Sequence, residues 1–173
     1  MIEKFAEMAK AAGAEVETPG NLAEAISFIK KYLGKAGLDG ALISPDLKNR
    51  NPFDREFSGL ETKLCGCNLW VEAGFVAADY GLAETGTLVH LDRSDEEKNV
   101  WTLPEVCFCF LERQKIVPSA EAIESLISAH LSRTDVSSPQ VSFITGPSRT
   151  ADIECRLTIG VHGPSRLVIL IVP

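Results

Sequence analysis

LVILIV (residues 167–172) is six apolar residues in succession, four of them β-branched. A strand with no polar residue at alternate positions has no face suited to water, so both of its faces must be covered. EVCFCFLER (105–113) also reads as a strand, and VSFIT (141–145) is taken with LVILIV as an uninterrupted, covered run. Strands of this kind belong in a mainly parallel sheet with helices on both faces, which places the chain in the three-layer α/β class.

The rest of the sequence is read outward from that sheet. Residues 3–12 carry a helical pattern that ends at Gly13, and residues 14–17 suit a short strand. Asn21 and Glu24 form a capping box for a helix whose apolar face is Leu22, Ile26, Ile29 and Leu33, ended by Gly34 and Gly37. GALIS (40–44), WVEAGFVAAD (70–79) and ETGTLVHLD (84–92) are strand-like, and RSDEEKN (93–99) is a charged excursion able to start a helical turn. Residues 46–58 read as irregular surface. Ser119 is expected to cap a helix with Ala122, Leu126, Ile127 and Leu131 on its apolar face. There is no internal repeat and no linker, so 1–173 is read as a single domain.

Composition narrows the partners. The chain has 173 residues, 45% apolar and 24% charged, with a net charge of −7. A phosphate-tracking surface for nucleic acid does not fit that balance. No apolar run approaches the length needed to span a membrane. The N-terminal residues mix Lys and Glu among apolar positions, unlike a signal peptide, so the chain is expected in the cytoplasm. A homo-oligomer is compatible with the composition.

Polar residues gather in three loops. GLAETGTLV (81–89) places Thr85-Gly86-Thr87 at a sharp turn; glycine there would let backbone approach a bound group, and the hydroxyls could donate to an anion. A plain hairpin turn is the alternative. TGPSRTADIE (145–154) is expected to start a short helix near Thr150, pointing N–H groups back at the strand end, with Arg149 as a fork for carboxylate or phosphate. Against that, Ser148 or Thr150 could serve only as an N-cap and Arg149 could simply pair with Asp152. GVHGP (160–164) holds His162 between glycines, suited to a tight loop with the ring in a cleft. His90 and His130 read as structural or exposed. Ligands of open α/β sheets sit beyond the carboxyl ends of strands, so the cleft is expected there.

The five cysteines include two CxC pairs, Cys65/Cys67 and Cys107/Cys109. Four thiolates could bind zinc or an iron–sulfur cluster, but CxC spacing on a strand spreads the sulfurs, and buried unligated thiols are the preferred reading. No metal is assigned and no cofactor is identified.

AADYGLAETGTLVHLD, TLPEVCFCFLERQKIVPS and GPSRTADIECRLTIGVHGPSRLVILIV, in this order, resemble the lactate-utilisation protein C family of LUD-domain proteins. The resemblance runs from about Ala77 to the C-terminus. It implies the fold shared by ribose-5-phosphate isomerase and the CoA transferases. It also implies a role beside an iron–sulfur and a cysteine-rich partner subunit in oxidising L-lactate to pyruvate. The family's motif residues fall on Glu84, Thr85, Gly86 and Thr87; on Gly146, Ser148, Arg149, Thr150, Asp152 and Glu154; and on Gly160, His162, Gly163 and Pro164, with Arg93 preceding the Leu-Pro step. One departure is Cys107, where the family often carries a histidine three residues after that proline.

Three functions are weighed on these residues. In the first, the chain is a lactate-oxidation subunit that binds a small anion or phosphate-bearing ligand through Thr85, Gly86, Thr87, Arg93, Gly146, Ser148, Arg149, Thr150, Asp152 and His162. The second is an independent isomerase or CoA-transferase-like enzyme, with Glu84 or Glu154 as base or nucleophile and His162 assisting. The third is architectural, with Arg149, Asp152, Glu154 and His162 tying loops together. The first is preferred, on the condition that Gly86, Arg149 and His162 meet at one rim.

Overall fold

The computed structural model describes residues 1–34, 41–49, 71–92, 95–135, 139–151 and 157–173. Five strands form an entirely parallel sheet: β1 (Glu15–Glu17), β2 (Leu42–Ile43), β3 (Val71–Ala77), β6 (Pro104–Glu112) and β11 (Arg166–Val172). Their order is β1-β11-β6-β3-β2, so the two most apolar strands lie side by side near the middle. Register then sorts the side chains. Leu167, Ile169 and Ile171 stand opposite Cys107, Cys109 and Leu111, and all six belong to one buried cluster with Phe5, Ala9 and Trp101. Val168 and Leu170 stand opposite Phe108 and Phe110, in a second cluster with Ile26, Ile29 and Leu47.

The period-two alternation of a strand has thus divided one run of apolar residues between two cores. On the first face lie α1 (Ile2–Ala11) and α4 (Asp95–Thr102); on the second lie α2 (Leu22–Leu33) and α3 (Pro45–Asn49). Phe75 and Phe108 stack on the second face with ring centroids 5.3 Å apart. Burying each such side chain contributes about 1.5–3 kcal/mol. The expected cap forms, with Asn21 Oδ1 accepting from Glu24 N at 2.9 Å, while the Glu24 carboxylate returns one residue further than in a strict capping box, accepting from Gly20 N at 2.8 Å.

A second sheet, order β7-β4-β5-β8, lies beside the first face. It consists of β4 (Tyr80–Leu82), β5 (Thr87–Asp92), β7 (Ile116–Val117) and β8 (Gln140–Ile144). Here the structure departs from the expectation for VSFIT, which forms β8, antiparallel to β5 and terminal in this small sheet. Phe143 is 52% exposed, so the strand is not covered on both faces. The segment after Ser119 also differs: a 3₁₀ turn (Ala120–Ile123) leads into α5 (Glu124–Leu131), and Ile123 and His130 are buried while Leu126 and Leu131 are exposed. Residues 46–49, read as irregular, lie in α3. The charged excursion becomes α4, eight residues long.

Candidate functional site

Thr85-Gly86-Thr87 joins β4 to β5, where Leu82 pairs with Thr87. Gly86 has φ +67°, and a Cβ there would stand 2.1 Å from Ala9 N and 2.5 Å from Met8 C. The group that needs glycine at this position is therefore the backbone of α1. The hydroxyls are engaged as well: Thr85 Oγ1 and Thr87 Oγ1 are 2.7 Å apart, and Thr87 Oγ1 and Thr145 Oγ1 are 2.7 Å apart. Glu84 is exposed beside this turn and lines none of the clefts described below.

The second loop repeats the pattern. Gly146 has φ +70°, and a Cβ on it would meet Ala12 O at 2.2 Å. No helix starts at Thr150. Arg149–Ala151 is instead a strand, β9, paired antiparallel with β10 (Leu157–Ile159). Alternation along β9 and the approach of α1 leave the exposed Arg149 donating through Nη2 to Ala12 O, with its guanidinium over Gly13. An orphan carbonyl at a helix C-terminus is a natural acceptor for a cation. Thr150 pairs with Thr158. Arg93, Asp152 and Glu154 lie outside the described residues, as do Cys65 and Cys67.

The loops do assemble a cleft, of about 290 Å³. Ser148 N donates to Pro164 O at 2.9 Å and Gly160 N donates to Ser148 O at 3.0 Å, which joins the second loop to the third. Gly146 and Ser148 stand on one side, His162 and Gly163 on another, and Trp101, Cys107 and Leu167 line the base. A neighbouring trough of about 380 Å³ shares Thr102, His162 and Gly163 and adds Glu105, whose carboxylate accepts from Ser165 Oγ.

The cleft opens over the amino ends of β6 and β11, not the carboxyl ends expected from open α/β sheets. The reason lies in the second sheet: β8 runs so that its carboxyl end, followed by Thr145–Ser148, reaches the amino end of the parallel sheet.

His162 is exposed at the lip, while His90 is completely buried and His130 nearly so. His130 Nε2 is 3.0 Å from Gln140 O, and His90 Nδ1 is 3.5 Å from Asp79 Oδ2; both are structural. Asp79 also accepts from Leu91 N at 2.8 Å, which fastens β5 to the end of β3. Burial alone pushes the Cys107 thiol far above the usual thiol range, so at the cleft base it behaves as a small apolar group. Among the described residues, no group of three or more His, Cys, Asp or Glu is arranged to hold a metal ion. Also among them, no helix is long and apolar enough to cross a membrane.

The condition that three loops meet is satisfied for two of them. Gly146, Ser148 and His162 share the cleft; Thr87 reaches it only through Thr145; Arg149 turns to α1. Trp101, Phe143 and Leu167 line the cleft without having been singled out in the sequence. For Trp101 a signal existed, an aromatic residue just before the Leu-Pro step. Nothing local marked Leu167, whose role follows from register.

A family model described as the LUD domain matches residues 68–172, which include every residue lining this cleft. The chain belongs to the LUD-domain family. The match covers both β6 and β11 and begins three residues before β3, close to where the sequence motifs begin. Among curated relatives of this LUD-domain chain, lactate utilization protein C of Geobacillus kaustophilus is 31% identical over 99 residues, 57% of this chain and 41% of that protein. The protein of the same name from Halalkalibacterium halodurans is 33% identical over 101 residues, 58% and 44% respectively. A Neisseria meningitidis protein is 34% identical over 121 residues, 68% of this chain and 48% of its own length. These alignments span less than half the length of each relative. The crystal structure of a duf162 family protein from Deinococcus radiodurans superposes with a TM-score of 0.67 at 19% identity, covering 99% of this chain and 96% of that one. That likeness bears on the fold: the three-layer α/β architecture expected from LVILIV is present.

Proposed function

We propose that this LUD-domain chain is a cytoplasmic subunit of a system that oxidises L-lactate to pyruvate, beside iron–sulfur and cysteine-rich partner subunits, and that it receives a small anionic ligand in the cleft. The observation that carries the reading is the likeness to proteins named lactate utilization protein C, together with the LUD-domain match across the residues that build the cleft. Ser148 Oγ and the His162 ring are the polar groups at the lip left unengaged by neighbours among the described residues. A hydroxyl and an imidazole can both donate to a carboxylate, and the backbone at Gly146 and Gly163 allows close approach. Thr102 is less suited, since its hydroxyl already donates to Lys98 O at 3.0 Å.

The turn at Thr85–Thr87 has an indirect part in this reading. It holds Thr145, and through Thr145 the entry to the second loop, at a fixed place against α1. For the alternative of an independent isomerase or transferase, Glu84 is not among the lining residues of the cleft, and Glu154 lies outside the described residues.

The test is complementation. A bacterial strain lacking its own lactate utilization protein C, supplied with this chain, is expected to regain growth on L-lactate as sole carbon source. The double variant Ser148→Ala/His162→Ala should restore it poorly at equal soluble level. Failure of the unaltered chain where the strain's own protein succeeds would refute the subunit role, and an undiminished double variant would refute the cleft's part in it.

A further inference from the structure

Resting on the reading of this cleft as the ligand site, we infer that its ligand is an organic monocarboxylate with an apolar body about the size of a ring, and not phosphate or a phosphate ester. Charge supplies the first reason. Among the described residues no Lys, Arg, Asp or Glu lines the cleft, and of those residues His162 at the lip is the one able to carry a positive charge. The guanidinium groups next in sequence to lining residues are both engaged, Arg149 by Ala12 O and Arg166 by the Glu15 carboxylate. The carboxylate of Glu105 lines the adjoining trough, and the whole chain carries −7. A dianion entering such a site would lose its hydration for one imidazole and one hydroxyl, with acidic groups nearby. Sites that hold phosphate ordinarily supply a guanidinium, an ammonium or a helix N-terminus. The expected helix at Thr150 would have been that feature, and the chain makes β9 there instead.

Apolar lining supplies the second reason. The base is Trp101, Cys107 and Leu167, and Phe143 and Pro147 flank it. Trp101 and Leu167 are 5% and 3% exposed, so the base is firm. Ser148 Oγ and the His162 ring stand at the lip, and Trp101 Nε1 is a buried donor without a partner at the base among the described residues. Such a site desolvates an apolar body and fixes its orientation by one polar end. Size is the third reason. The cleft measures about 290 Å³. A three-carbon acid would fill only part of it, and one bearing an additional ring would occupy it well.

Calorimetric titration of the full chain with phenylpyruvate, pyruvate and inorganic phosphate tests this directly. The two acids differ by a phenyl ring alone. Phenylpyruvate is expected to bind at least about tenfold more tightly than pyruvate, with phosphate the weakest of the three. Phe143→Ala removes an exposed side chain from the cleft wall. It should weaken phenylpyruvate severalfold while changing pyruvate by less than about twofold. Phosphate binding as tightly as phenylpyruvate would overturn the inference, as would equal affinity for the two acids, no binding by any probe, or indifference to Phe143→Ala. If complementation fails while the affinity order holds, the lactate role falls and this ligand class stands. If the order is inverted in a chain that supports growth, the ligand class falls alone.

Discussion

Gly86→Ala separates two accounts of the same tripeptide. If the glycine serves a bound ligand, adding a methyl group should weaken binding and cost the fold little. The structure indicates the reverse. The left-handed conformation, φ +67°, costs an L-residue about 1–2 kcal/mol by itself. The new Cβ would also stand 2.1 Å from Ala9 N and 2.5 Å from Ala9 Cα, atoms of helix backbone that cannot rotate away. Relief requires α1 to lift, and α1 seats Phe5 and Ala9, both 0% exposed, in the core. Losing a seat of that kind is comparable with removing a buried phenylalanine side chain, about 3–5 kcal/mol. Partial lifting gives an expected total of at least about 3 kcal/mol. For a chain of this length that lowers Tm by about 6 °C or more. Urea unfolding of wild type, Gly86→Ala, Phe5→Ala and the double variant measures it. Because both substitutions act through α1, Phe5→Ala should cost at least about 1 kcal/mol less in the Gly86→Ala background than alone. A loss below about 1.5 kcal/mol for Gly86→Ala, or additivity within about 0.5 kcal/mol, would show that α1 does not dock on the turn.

Further expectations follow from individual contacts. Arg149→Ala removes the bond to Ala12 O from an exposed position and should cost about 1 kcal/mol in urea unfolding. Calorimetric affinity for phenylpyruvate should stay within about twofold, and a tenfold loss would return Arg149 to the ligand site. Asn21→Ala removes the cap of α2 and should cost about 1 kcal/mol, or about 2–4 °C in Tm, whereas an unchanged Tm would deny the capping box any weight. Alkaline pH should destabilise the chain through Cys107. Burial holds its folded thiol neutral, while the unfolded thiol ionises above about pH 8.5, so the unfolded state binds fewer protons. That stabilisation is complete below the unfolded value and falls as pH rises past it. Cys107→Ala should therefore show a shallower decline of the urea midpoint between about pH 8 and 10; parallel curves would refute the assignment.

Elements whose cause is local were legible from the residues alone. The Asn21 cap, the end of α2 at Gly34, and the apolar strands read at 105–113 and 167–172 needed no distant information, because hydrogen-bond caps and side-chain period act within a few residues. The family motifs were likewise legible as a string. What distant chain segments do to one another was not. Thr85-Gly86-Thr87 has the composition of an anion loop and of a helix seat alike, and only the arrival of α1, more than seventy residues earlier in the chain, decided between them. VSFIT carries the same residue types as a covered strand, yet it became the edge of a second sheet when it paired with β5. Arg149 has the chemistry to hold an anion, and a carbonyl at the end of α1 reached it first. Local propensity sets which conformations and partners a residue can take; tertiary packing sets which of them is within hydrogen-bonding or van der Waals distance, and at this cleft that second condition chose the residues.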